Sequence, residues 1–396
     1  MVCEKMLELG RHRSVIRDIF EYGNRRKAEI GAENVFDFSL GNPSVPAPPV
    51  VTETLQKLIA ETPAEQLHAY TSAAGDPTVR GAIAQYIRDS FGFSVTGQHI
   101  YMTVGAAASL TISLTALVQE GDEVIAIAPF FPEYRVFAQR TGAKFVTVNS
   151  AEKTFQIDAE SLSAAVNAHT KAVIVNSPNN PTGIVLTEES IRALAAVLEE
   201  KSRQYGHPIY LIADEPYREL VYGGTPVPYI PNYYKNTIVC YSFSKSLSLP
   251  GERIGYILVS PQAEDADAVY DAVCGAGRAL GYVCAPSLFQ QLVKACLGQT
   301  ADLSVYDENR RLLYGALTQC GFEVVEPNGA FYLFVKAPEP DANAFCEKAK
   351  QYELLLVPGD SFGCPGYVRI AYCVTTEQIR RSLPAFRQLA RHYKGE

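Results

Sequence analysis

Tryptophan is absent from this chain of 396 residues, so any aromatic platform must be built from its 18 phenylalanines and 23 tyrosines. Histidine is scarce, and His12, His68, His99, His169, His207 and His392 show no metal-ligand spacing, so no metal centre is expected. The 9 cysteines are scattered without a CxxC pair, and their odd number argues against a disulfide framework; free thiols in a reducing compartment are expected. No long run of charge of one sign is present. With 35 basic against 43 acidic residues the net charge is −8, which offers no basic field for nucleic acid or anionic lipid and favours small-molecule partners. Residues 1–21 are charged and broken by polar positions, so neither a signal peptide nor a membrane span is expected, and a cytoplasmic protein is. Internal repeats and low-complexity tracts are also missing.

What is present is a length that accommodates two domains and a recurring alternation of apolar runs with helical stretches. After a short charged helical piece, residues 35–40 alternate like a strand. The next nine residues, from Gly41 to Pro49, hold four prolines and a glycine, which cannot continue a helix or a central strand and predict a loop at a domain crossing. Apolar runs then recur at 100–104, 124–128, 145–148, 172–175, 209–213, 237–241 and 254–259. Their spacing predicts an α/β fold with a largely parallel sheet covered on both faces. Residues 286–320 turn helical, and 322–325, 331–335, 354–357 and 368–372 supply strands for a smaller α+β layer. The expected division is an N-terminal arm (1–49) that joins the small domain, a large domain (50–300) and a small C-terminal domain (301–396), bridged by helix near 286–320. Gly275-Ala276-Gly277-Arg278-Ala279-Leu280-Gly281 mimics a dinucleotide loop, but 266–274 is helical in pattern and the third glycine falls one place late, so no nicotinamide site is expected.

Open α/β sheets bind ligands at the carboxyl ends of their strands, and the unusual residues of this chain collect there. The run 237–241 delivers Ser242-Phe243-Ser244-Lys245, with Arg253 eight positions beyond the lysine. A lysine desolvated near a second cation has its neutral amine favoured and can add to a carbonyl. The run 100–104 is followed by Gly105-Ala106-Ala107-Ala108-Ser109, small residues that open a helix and leave its backbone N–H groups free for a phosphate. After 124–128 comes Pro129-Phe130-Phe131, an aromatic pair able to stack on a flat ring. After 172–175 comes Asn176-Ser177-Pro178-Asn179-Asn180-Pro181-Thr182-Gly183, a stiff loop that presents amides. After 209–213 comes Asp214-Glu215-Pro216-Tyr217, where an acid leaving a buried strand needs a cation or donors to meet it.

Together these pieces resemble the pyridoxal-phosphate aminotransferases of fold type I, in the class I/II family, over nearly the whole chain. Tyr70-Thr71 with Gly75 and Arg80, the turn at Gly105, Asn179 to Gly183, Asp214 to Tyr217, Ser242 to Lys245, Arg253 and Arg369 occur in the family's order. The resemblance implies a mostly parallel seven-stranded sheet in the large domain, a small domain formed by both chain ends, and pyridoxal 5'-phosphate as cofactor. It implies that Lys245 forms the Schiff base and carries the proton, that Asp214 holds the ring nitrogen, and that Tyr217 and Asn180 bind the phenolic oxygen. Phe131 takes the place of the stacking aromatic, often tryptophan in the family. Ala106, Ala107, Ser242 and Arg253 would hold the phosphate, with Tyr70 reaching it from the other subunit of a homodimer. Arg369 matches the arginine for the substrate α-carboxylate, Gly41 lies in the segment that closes over substrate, and Arg278 lies near an arginine that meets a distal carboxylate across the dimer.

The activity implied is ping-pong transfer of an amino group between an L-amino acid and a 2-oxo acid, aspartate-type or broad. The same residues also serve related lyases that eliminate across a C–S bond, and some regulators carry such a domain as a ligand sensor. The acidic balance and the lack of a DNA-binding segment ahead of the sheet pattern speak against a regulator.

Overall fold

The computed structural model describes residues 2–11 and 14–395; one of the six histidines, His12, lies outside them. Its strands are β1 (Phe36–Asp37), β2 (Ile100–Thr103), β3 (Glu123–Ala128), β4 (Lys144–Asn149), β5 (Thr170–Asn176), β6 (Tyr210–Asp214), β7 (Thr237–Ser242), β8 (Gly255–Val259), β9 (Tyr332–Lys336), β10 (Leu354–Leu355), β11 (Val357–Pro358) and β12 (Tyr367–Ala371). Strands β2 to β8 form one seven-stranded sheet in the order β2-β8-β7-β6-β5-β3-β4, in which β8 alone runs against its neighbours.

Every residue of β6, β7 and β8 is buried, and this is why their sequences are apolar throughout rather than alternating. The strand period of two appears instead as a choice of core. Along β7, Ile238 and Cys240 join one cluster with Leu110, Leu114 and Val273, while Val239 and Tyr241 join the other with Ile83, Leu194 and Leu258. Helices cover both faces, including Ala106–Leu117 and Ala266–Leu280 on one side and Pro77–Phe91 and Glu188–Tyr205 on the other. The glycine-rich stretch near Arg278 lies at the end of the helix Ala266–Leu280, which Gly281 terminates at φ 76°.

A further core belongs to both ends of the chain. Phe38 and Val45 pack with Leu313, Phe331, Leu354, Ile370 and Phe386. Here β11, β12 and β9 form an antiparallel sheet, and β1 pairs in parallel with β10.

Three expected strands are changed. Residues 35–40 keep only Phe36–Asp37, because the Asp37 carboxylate turns back to accept from the Ser39 N–H at 3.1 Å and the Ser39 hydroxyl at 2.6 Å, which bends the backbone off the ladder. Residues 322–325 reduce to one bridge, Val324 to Val335, with Pro327 close behind to stop further pairing. Residues 354–357 divide between two sheets, Leu354 pairing with Phe36 and Val357 with Arg369.

Candidate active site

The parallel strands all end on one edge of the seven-stranded sheet, and β8, running the other way, begins there. This places Gly105, Phe131, Asn180, Asp214, Ser242 and Arg253 on the same edge, although up to 148 positions separate them in the chain. Arg369 arrives from β12 in the second sheet. Between them lies a cleft of about 520 Å³, lined by Lys245, Tyr217, Asn180, Arg253 and Arg369. Gly41, Ala106, Ala107, Phe131 and Ser242 complete its wall. A cavity of about 590 Å³ elsewhere is bordered by Arg203, Lys235, Glu199 and Glu264, a balanced set with no comparable convergence of buried groups.

Lys245 sits in a single helical turn, Phe243–Ser246, which starts where Ser242 caps it by accepting from the Ser244 N–H at 3.2 Å. The lysine Nζ donates to the Gly41 carbonyl at 2.7 Å and lies 5.5 Å over the Phe331 ring. Burial lowers its pKa to about 8; nearby Cys373 opposes the fall, and Arg253 and Arg369 add to it.

Asp214 closes β6 and is buried. Tyr134 donates to its Oδ2, while Oδ1 has no partner. Burial pushes this carboxyl up to about 7, against the Tyr134 bond and with help from the charge of Glu215. Asn176 holds the strand end to the neighbouring loop: its Nδ2 donates to the Asp214 carbonyl at 2.8 Å and its Oδ1 accepts from the Asn180 N–H at 2.7 Å. Glu215, next in sequence, points to Arg218 instead and makes a buried ion pair at 2.5 Å.

The helix Ala106–Leu117 opens directly at the cleft. Its first N–H groups have no acceptor within the helix, and its dipole is positive there. Gly105 precedes it at φ 93°, and a Cβ at that position would come within 2.8 Å of Arg253 Nη2. Glycine is favoured by the backbone conformation, and a side chain there would also displace the guanidinium. Arg253 is steadied by its Nη1, which donates to the Pro250 carbonyl at 2.9 Å.

Arg369 is only 2% exposed and lies between two rings, 4.7 Å from Tyr332 and 5.0 Å from Phe362. Its Nη1 donates to Asn180 Oδ1 at 3.0 Å, its Nη2 to the Ser39 carbonyl, and its Nε has no partner. The Asn180 amide is thereby oriented with its Nδ2 protons left for the cleft.

Tyr70 and Arg278 do not line the cleft of their own chain. Tyr70 is 95% exposed, and Arg278 is exposed at its helix end. Five contributors escaped the sequence analysis. Tyr134 and Tyr332 stand in aromatic-rich runs that look like ordinary core; a tyrosine among phenylalanines was the available sign of a buried hydroxyl. Ile16, Arg17 and Phe20, on the helix Val15–Ile30, also border the cleft, and nothing in their spacing tied them to a strand end.

A lysine with a depressed pKa, a buried carboxylate with one open oxygen, an N-terminal helix turn with an arginine, and a second buried arginine form a site for carbonyl and amine chemistry on carboxylate-bearing molecules. The chain belongs to the class I and II aminotransferases, pyridoxal-phosphate-dependent enzymes; that family's model matches residues 33–386. It is 54% identical to an amino transferase from Eubacterium rectale of known crystal structure, with a TM-score of 0.97 over 99% of each chain. The aspartate aminotransferase of Thermus thermophilus, solved with maleate, aligns with a TM-score of 0.86 at 25% identity, over 98% of this chain and 99% of that one. The curated aspartate/prephenate aminotransferase of the same organism is 30% identical over 354 residues, covering 87% of this chain and 88% of that protein.

Proposed function

We propose that the cleft holds pyridoxal 5'-phosphate and that the protein moves an amino group between an L-amino acid and a 2-oxo acid by a ping-pong mechanism, with aspartate-type or broad specificity. The observation that carries this reading is the unpartnered Oδ1 of Asp214, a buried acceptor that calls for a donor such as a protonated ring nitrogen. The rest of the cleft fits the same ligand. Ala106 and Ala107 N–H groups, Ser242 and Arg253 would take the phosphate; Phe131 would stack on the ring; Tyr217 and Asn180 Nδ2 would donate to the phenolic oxygen. When bound, the ring withdraws electrons from the substrate α-carbon, so that its proton can be moved.

Lys245 would anchor the cofactor covalently and, once displaced by substrate, carry the proton to and from the α-carbon. Its neutral amine near pH 8 suits both tasks. Arg369 would bind the α-carboxylate with its fork, already oriented by two rings and Asn180. The segment at Gly41 would close over the substrate and exclude water.

We further read the protein as a cytoplasmic homodimer, its lobes dividing near residues 49 and 300. Tyr70 would reach the partner's phosphate, and Arg278 a distal carboxylate of substrate in the partner's cleft. The 95% exposure of the Tyr70 ring supports a covered surface there. The relative solved with maleate, a dicarboxylate, supports the aspartate-type preference.

The test is the absorbance of purified protein loaded with cofactor, followed while single amino acids are added without an oxo acid. Aspartate or another donor should convert one spectral form to another, and a 2-oxo acid should reverse it. No conversion with any common amino acid would overturn the reading; pyruvate and ammonia released faster than any amino transfer would assign elimination instead.

A further inference from the structure

Tyr332, on β9, joins parts of the site that come from distant stretches of chain. Its hydroxyl lies 2.9 Å from that of Tyr217, and both rings are buried, at 2% and 6% exposure. Among the described residues neither hydroxyl has another hydrogen-bond partner, so each is the other's. The Arg369 guanidinium lies over the Tyr332 ring at 4.7 Å. Gly41 packs so closely that a Cβ there would overlap the Tyr332 hydroxyl, and the Gly41 carbonyl accepts from Lys245.

We infer that Tyr332 is a positioning residue that donates its hydroxyl proton to Tyr217 and so turns the Tyr217 proton toward the cleft as a strengthened donor. The proposal rests on the cofactor reading of the cleft, where the Tyr217 hydroxyl would meet the phenolic oxygen. Two hydroxyls sharing one hydrogen bond must divide the roles of donor and acceptor. The cation over Tyr332 makes its proton the more readily donated one. Burial raises both phenols, Tyr332 to about 12, and Arg369 opposes the rise in each, as the strongest influence after burial on Tyr332 and a lesser one on Tyr217. A hydroxyl that accepts a hydrogen bond is polarised and donates more strongly in turn. The chain Tyr332 to Tyr217 to phenolic oxygen would therefore stabilise the oxygen's anion more than Tyr217 alone.

The consequence is measurable without turnover. With cofactor bound, Lys245 would carry a proton whose release is eased when Tyr217 stabilises the phenolic oxygen's anion, so a stronger Tyr217 donor would let that proton leave at lower pH. Removal of the Tyr332 hydroxyl should therefore raise the pH midpoint of the absorbance change of the cofactor-loaded protein.

The experiment is a spectrophotometric pH titration of loaded wild type, Tyr332→Phe, Tyr217→Phe and the double variant, with cofactor affinity measured by equilibrium dialysis. Tyr332→Phe keeps its ring in the core and should raise the midpoint by roughly half a pH unit, and Tyr217→Phe by more. In the Tyr217→Phe background, Tyr332→Phe should add no further shift. An unchanged midpoint in Tyr332→Phe would overturn the inference, as would an equal shift whether or not Tyr217 keeps its hydroxyl, since that is the mark of a general packing effect. If wild type itself binds no cofactor and shows no titrating band, the cofactor reading fails and takes the inference with it.

Discussion

Tyr134 donates its hydroxyl proton to Oδ2 of Asp214 and leaves Oδ1 of the same buried carboxylate without a partner. The tyrosine fixes the carboxylate plane; the open oxygen defines where a cationic donor must arrive. Until it does, the charged carboxylate is costly.

That cost gives a pH dependence for the unloaded protein. Asp214 titrates near 3.8 when unfolded and at about 7 in the fold. Between these values the folded chain holds a proton that the unfolded chain has lost, so stability falls as pH rises from about 4 to about 7. Asp214→Asn escapes the penalty. By denaturant titration without cofactor, this variant should gain on wild type between pH 4 and pH 8, by on the order of a few kcal/mol at most. Parallel stability profiles would refute the burial argument.

Capture of the cofactor should follow the Lys245 amine. Because burial brings its pKa to about 8, the rate at which unloaded protein develops the bound-cofactor band should climb as pH rises to about 8 and level off above it. Lys245→Ala should still bind cofactor noncovalently through the phosphate contacts, yet lose turnover by roughly 10³-fold or more. Near-normal turnover in that variant would contradict the assigned role.

Arg369→Lys keeps a charge but loses the planar fork, the bond to Asn180 and the stacking on Tyr332 and Phe362. We expect kcat/KM for amino-acid donors to fall by about 30- to 100-fold, a loss of roughly 2–3 kcal/mol. Steady-state kinetics with one donor and one acceptor would measure it.

Gly105→Ala forces a side chain into a backbone of φ 93° and against Arg253. The strain should cost about 1 kcal/mol of stability. Displacement of Arg253 should weaken cofactor binding about tenfold, read by equilibrium dialysis. Unaltered affinity would mean that the turn does not hold the phosphate.

Arg278→Ala separates distal-carboxylate recognition from ordinary interface packing. If Arg278 serves the partner's cleft, aspartate turnover should drop about tenfold or more relative to alanine turnover. An equal effect on both donors would dismiss the role.

The large sheet was legible because its central strands are buried on both faces: runs such as Ile238-Val239-Cys240-Tyr241 have no competing pattern, and their carboxyl ends lead to Asp214, Ser242 and Lys245. The small sheet was less so. Leu354 and Val357 lie three positions apart yet belong to different sheets, a division decided by the partners Phe36 and Arg369 rather than by local propensity. Within the site, charged residues at strand ends stood out, whereas Tyr134 and Tyr332 did not. A phenol that packs its ring and uses one oxygen is indistinguishable, residue by residue, from a core aromatic. The helix Val15–Ile30 reaches the cleft through tertiary packing alone.

Arg369 lies on β12, the last strand among the described residues, whereas Lys245 lies in the helical turn that follows β7 of the large sheet. During synthesis the complete seven-stranded sheet emerges with Lys245, Asp214 and the turn at Gly105 while β9 and β12 are still to be made. A nascent chain can therefore possess all of its own groups that would grip the cofactor in its cleft well before it has Tyr332 or Arg369. If the cleft holds the cofactor as proposed, the order of translation would put its binding groups ahead of those for substrate.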